Sequence, residues 1–118
     1  MRMLKYLRGQ YPGAHLTLHA GELAPGLVKP EDLTFHINEA VRVAGAERIG
    51  HGTSSVADPK LLDHLAERRI ALEVCPTSNI ATRAVKDIEQ HPVREMVRAG
   101  VLVTINSDDP PMFGTDLN

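Results

Sequence analysis

Cysteine is nearly absent: Cys75 stands alone, so no disulfide can form within the chain. That usage fits a reducing compartment, and the expected location is cytoplasmic. Aromatic residues are almost as scarce, with no Trp, two Phe and two Tyr. A sheet that stacks nucleobases on aromatic rings is therefore not expected. Neither sign of charge dominates: 13 Lys and Arg face 15 Asp and Glu, for a formal net charge of -2. Binders of nucleic acid or of membrane surfaces favour a basic stripe, and this balance argues against both as partners. No apolar run reaches the length of a membrane span. Residues 1–10 carry basic side chains without an apolar centre and do not read as a secretory signal. A P-loop, a Gly-rich dinucleotide fingerprint and a Ser/His/Asp nucleophile order are also missing, and "GAERIGHG" fits none of them.

What the 118 residues contain is a regular alternation, with 42% apolar side chains and room for one modest core. Residues 1–10 read as the end of a helix, stopped by Tyr11-Pro12-Gly13. A strand is expected over 15–19, then a loop over 22–30 marked by Pro25, Gly26 and Pro30. Leu33, Ile37, Ala40, Val41 and Ala44 recur at helical spacing, and Gly45 sits where that helix would end. Residues 48–51 form a second strand closed by Gly52. Asp58 can cap a helix that has Pro59 in its first position and Leu61, Leu62 and Leu65 on one side. A third strand spans 70–75 and ends at Pro76. A looser helical stretch follows, then a clear helix over 92–99 with Val93, Met96 and Val97 apolar, ended by Gly100. The fourth strand, 101–106, runs into Ser107-Asp108-Asp109-Pro110.

Strand, polar loop and helix repeat with no domain boundary between them. This predicts an α/β fold of parallel strands and crossover helices. The polar clusters fall at the C-terminal strand ends, the edge that carries ligand chemistry in open α/β sheets and in (β/α)8 barrels. Four βα units are half of such a barrel.

Three clusters invite a chemical reading, and each has a plainer alternative. His19 can ligate a metal, and Glu22, three residues on, can reach the same cavity as a general acid or base. The alternative is a loop-capping His with a solvated Glu. His51, between Gly50 and Gly52, can face the cavity and deprotonate a water, or it is a satisfied loop His. Asp108 and Asp109 repel each other, so their pairing asks for a cation, a hydrogen-bond partner or plain solvation in a turn. Cys75 reads as a small buried side chain. Thr77-Ser78-Asn79 reads as wall-forming structure, and His15, His36, His64 and His91 as structural or surface residues. Taken together the plain readings weaken, because strand ends converge on one mouth in a barrel.

The motifs "LHAGE" (18–22), "ERIGHG" (47–52), "LEVCPTSN" (72–79) and "VTINSDDPPMFGTDL" (103–117) resemble, in order, those of the adenosine deaminase family of zinc hydrolases. The resemblance covers nearly the whole chain. It implies a zinc-activated water that attacks C6 of a purine, with loss of ammonia. By motif, His19 and Asp108 look like zinc ligands. Glu22 would be the acid that protonates the ring nitrogen beside C6, and His51 would orient and deprotonate the water. Asp109 would hydrogen-bond the imidazole edge of a purine nucleoside.

The family fold is an eight-stranded barrel whose first strand carries two further zinc ligands as His-x-His. This sequence contains no His-x-His. A full barrel takes roughly 200 residues or more. The expected architecture is therefore the C-terminal half of a TIM-type barrel, strands five to eight, as a single partial domain over 1–118. The missing N-terminal half lies elsewhere in a longer enzyme, or short chains complete one another by self-association. Adenosine is the expected substrate, with adenine or another aminopurine as the alternative. A non-catalytic half-barrel acting as an interaction module is the reading from a different class. An isolated half-barrel is expected to be marginally stable and prone to associate.

Overall fold

In the computed structural model, which describes residues 1–23 and 28–117, the expected strands form one all-parallel sheet. β1 (Thr17–Ala20), β2 (Arg48–His51), β3 (Ala71–Val74) and β4 (Val103–Ile105) lie side by side in chain order. Parallel neighbours cannot be joined by a hairpin, so each connection carries helix back across the sheet. These connections hold α2 (Asp32–Asn38), which continues as a π-helical turn over Glu39–Val43, then α3 (Pro59–Glu67) and α5 (Val93–Arg98). α1 (Arg2–Gln10) precedes β1, α4 (Pro76–Ala81) follows β3 directly, and α6 (Pro110–Phe113) follows β4. No helix among the described residues is long and apolar enough to cross a membrane.

The register explains which face is buried. Leu18, Ile49, Leu72 and Val103 form one row across the sheet. Side chains alternate faces along a strand, so this row lies on the face that packs on the helices. Ile49 and Leu72 are fully buried there with Ile37, Leu61, Leu65 and Met96. The opposite face carries His19, Gly50, Glu73 and Thr104 in register. His19 and Thr104 on it are exposed, and Arg48 and Glu73 form an ion pair at 2.8 Å. Parallel sheets are ordinarily covered on both faces. This one is covered by its helices on one face and is polar and open on the other.

Local chemistry sets the helix ends. The Asp58 side chain accepts from the Lys60 amide at 3.0 Å, and Pro59 takes the first turn, as the sequence predicted. Pro76 does more than stop β3. It opens α4, the looser helical stretch expected after β3, and Thr77-Ser78-Asn79 lies within it with Ser78 and Asn79 fully buried. The first strand begins at Thr17, and His15 lies before it, exposed. His15 and Arg8 both hold Glu47, each at 2.7 Å, tying α1 and the approach to β1 to the start of β2. The Arg8 and His15 hydrogen bonds keep the Glu47 carboxyl below its usual range. Pro25 and Gly26, expected as loop markers, lie outside the described residues.

Gly52 is required where it stands. Its φ is +71°, and a Cβ there would sit 2.6 Å from Leu72 Cδ2 in the core. Gly52→Ala combines a left-handed backbone penalty with overpacking. It should cost about 2–4 kcal/mol, read as a lower urea midpoint. An unchanged midpoint would mean the β2–β3 core has slack that the packing does not show.

Candidate active site

Parallel topology delivers the polar strand ends to one edge. β1 ends at Ala20, and Gly21, with φ +70°, turns the chain so that Glu22 follows. β2 ends at His51, whose own φ is +65°. Strict alternation would turn His51 toward the helix-covered face with Ile49, and the left-handed backbone breaks that alternation. Its imidazole is buried, with Nε2 3.6 Å from Glu22 Oε1 and 3.7 Å from Asp108 Oδ2. Asp108 comes from the segment after β4 and is also left-handed, at φ +59°. A non-glycine residue in this region costs about 1–3 kcal/mol and persists only where its surroundings hold it. Arg69 and Arg83, the other described non-glycine residues with positive φ, follow helix ends, where such a backbone is routine.

His19 lies beside this group, its ring centroid 5.3 Å from that of His51. A Cβ on Gly50 would stand 3.2 Å from the His19 ring, so the glycine gives that ring its place over the sheet. A cavity of about 320 Å³ is lined by His19, His51, Cys75, Asn106 and Asp108 among others. A neighbouring one of about 300 Å³ shares His19 and adds Glu22. Asn106 secures the turn before Asp108: its side-chain amide donates to the Val74 and Thr104 carbonyls at 3.2 and 3.1 Å.

The structure therefore brings together His19, Glu22, His51 and Asp108, four of the five residues singled out from the sequence. Asp109 is placed differently. It is exposed and caps α6, its carboxylate accepting from the Met112 amide at 3.4 Å. Cys75 joins the cluster instead. Donor atoms of His51, Cys75 and Asp108 all lie within 4.8 Å of one another. Its position at the end of β3 was the available signal, since the same rule selected the other strand ends. Burial, then the charges of Asp108, Glu22 and Glu73, push the Cys75 thiol up to about 11. It stays a thiol and not a thiolate.

Imidazole and carboxylate in one half-buried pocket are a donor set that suits zinc and related divalent metals. His51 Nδ1 is buried with no hydrogen-bond partner among the described residues, and Gly50 leaves His19 free to face the pocket. The residues present fit a metal ion at this edge.

A parallel α/β sheet with histidines and carboxylates converging at its C-terminal edge is the architecture of metal-dependent hydrolases. Residues 5–118 match the family model described as adenosine deaminase, and the chain belongs to that family. It is 65% identical over 106 residues to the aminodeoxyfutalosine deaminase of Streptomyces coelicolor, covering 90% of this chain and 25% of that protein. It is 47% identical over 105 residues to the adenosine deaminase of Klebsiella pneumoniae, covering 89% of this chain and 29% of that protein. The chain thus spans between a quarter and a third of these relatives. Among solved structures it resembles an adenine deaminase from Arthrobacter aurescens, with TM-score 0.78 and 38% identity over 92% of this chain and 31% of that one. A Zn-bound amidohydrolase from Burkholderia ambifaria gives TM-score 0.73 and 29% identity, over 91% of this chain and 28% of that one.

Farther from the pocket, burial holds His91 below its ordinary value of 6.5, and burial with Arg42 and Arg68 does the same to His64. The unfolded chain therefore binds more protons than the folded one just below 6.5. This contribution to stability is complete above 6.5 and is lost as pH falls beneath it. Urea midpoints should drop between about pH 7.5 and pH 5. A midpoint that rises on acidification would contradict the neutral state of both imidazoles.

Proposed function

We propose that the protein carrying this chain is a zinc-dependent hydrolase that removes the 6-amino group of an aminopurine nucleoside as ammonia. In this reading the chain supplies strands five to eight of the barrel and one side of its active site. The open polar face of the sheet then becomes the barrel interior, covered by the remaining strands. The observation that carries the reading is the approach of His51 to both Glu22 and Asp108, at 3.6 and 3.7 Å, beside His19.

His19 and Asp108 would hold the zinc, with further ligands from outside these residues. Bound there, the metal supplies a water acidic enough to attack near neutral pH. His51, at the end of β2, accepts a proton from the attacking water. Glu22 gives its proton to the ring nitrogen beside C6, so that the ring can take the incoming electron pair. Proton return to the exocyclic nitrogen lets ammonia leave and leaves a carbonyl at C6. Aminopurine and water thus become oxopurine and ammonia, with no redox partner. Asp109 bonds the imidazole edge of the purine in this reading, which requires it to turn from its capping position on α6.

Identity to named relatives supports an order in which to try substrates. The relative at 65% is an aminodeoxyfutalosine deaminase and the one at 47% an adenosine deaminase. Aminodeoxyfutalosine is therefore the first substrate to try, ahead of adenosine and adenine.

The roles separate in two variants of the full protein. Glu22→Gln should keep its zinc and lose about 10²–10⁴-fold in kcat, the usual worth of a positioned acid. Asp108→Ala should lose zinc, measured by elemental analysis after dialysis. Glu22→Gln turning over near the wild-type rate would sink the proposed acid. A substrate comparison by ammonia release ranks the three purines, and no release from any of them would defeat the reading as a whole.

A further inference from the structure

Beyond the site, the turn after β2 is clamped by a buried polar chain. Thr53 Oγ1 donates to Asn79 Oδ1 at 3.2 Å, and His91 Nε2 donates to the same oxygen at 2.9 Å. The Val93 amide donates to His91 Nδ1 at 3.1 Å. That last bond fixes the others. With Nδ1 accepting, the neutral ring carries its proton on Nε2, so the amide of Asn79 must turn its oxygen toward His91. The oxygen then also receives the Thr53 hydroxyl. Thr53, Asn79 and His91 are 6%, 0% and 5% exposed.

The chain crosses three elements. Thr53 opens the 3-10 turn after β2, Asn79 belongs to α4, and His91 precedes α5. On the other side, the same turn is bonded to β1: Gly52 N–H donates to the Ala20 carbonyl at 2.8 Å and Ser54 N–H to the Gly21 carbonyl at 3.0 Å. Thr53 stands two residues beyond His51, across a Gly52 that is left-handed like His51 itself. A strained backbone lasts only where its neighbours over-determine it. These two sets of bonds are the constraints on either flank. The three side chains make no hydrogen bond to Glu22, His19 or Asp108 among the described residues.

We propose that Thr53, Asn79 and His91 are positioning residues that hold His51 in its left-handed conformation and aim its imidazole at Glu22 and Asp108. Only the kinetic part of the test rests on the deaminase reading.

The test uses the full protein and a matched pair of variants. Thr53→Val removes the hydroxyl at constant shape, and Thr53→Ser keeps it. The first readout is the position of the His51 imidazole resonances at fixed pH, with exposed His15, which precedes β1 at the opposite end of the strands, as internal reference. Thr53→Val should move or broaden the His51 signals and leave those of His15 in place. Thr53→Ser should match the wild type. His91→Gln, which can still donate to Asn79 but leaves the Val93 amide unpaired, should move the His51 signals in the same direction. In kinetics, Thr53→Val should lower kcat about tenfold with KM within about twofold and zinc content unchanged. The Thr53→Val and His91→Gln effects should be strongly non-additive, because both loosen the same Thr53–Asn79–His91 chain.

Unmoved His51 signals in Thr53→Val and His91→Gln would overturn the proposal, whatever the rates. Movement of His15 together with His51 would also overturn it, because the chain would then serve the fold at large. If the wild type deaminates nothing while Thr53→Val still moves His51, the functional reading falls and the clamp stands.

Discussion

His51 and Gly52 form two consecutive left-handed residues at the end of β2, and the site is built around that turn. It takes His51 out of the strand's alternation and lets a buried imidazole meet carboxylates from the segments after β1 and β4. It also sends the chain into the 3-10 turn that packs against α2 and α5. Gly52 makes the turn sterically possible, because Leu72 fills the space a side chain would need. The backbone bonds to Ala20 and Gly21 set the spacing from β1. A fold that lost this turn would keep its sheet and scatter its chemistry.

The sheet has a matching division of labour. One face is a continuous apolar row under the helices, and that row provides the cohesion of the chain. The other face holds His19, the space over Gly50, and the Arg48–Glu73 pair. A partly exposed ion pair adds little stability. Its polar character makes sense on a surface that faces a cavity once further strands close around it. Ile105, 58% exposed on the edge strand β4, is the apolar counterpart of the same unfinished enclosure. An edge strand with an exposed large side chain invites pairing with another strand.

Much of this was readable in the residues because the signals were local. Asp58-Pro59 announced a helix start, Gly45 and Gly100 announced helix ends, and Arg48 to His51 came out with the bounds of β2. The grouping of His19, Glu22, His51 and Asp108 followed from topology, since parallel strands bring their C-terminal ends to one edge. What escaped was decided by tertiary contacts. A helical stretch after Pro76 was legible, but the full burial of Ser78 and Asn79 within it carries no local signal. The link from Asn79 to His91 spans twelve residues, across the end of α4 and a 3-10 turn at Ile88–Gln90, and no periodicity encodes it. Asp109 shows the opposite case: its neighbour Pro110 made it a good helix cap, and local capping settled its side chain.

Cys75 reports the electrostatics of the pocket from inside it. Its thiol is raised first by burial, then by Asp108, Glu22 and Glu73 in turn. Three carboxylates thus act on one buried atom; Glu73 is paired with Arg48, while Glu22 and Asp108 face His51. Concentrated negative charge of this kind is unfavourable by itself and becomes favourable around a cation or a proton. The proposed chemistry calls for both: a divalent ion held partly by Asp108 and a proton carried by Glu22. The carboxylates that add to the effect of burial on the thiol are groups that would draw a metal ion to this edge of the sheet. Glu22 after β1 and Asp108 after β4 are far apart in the sequence, and the parallel topology brings their charge to the one edge where the strands end.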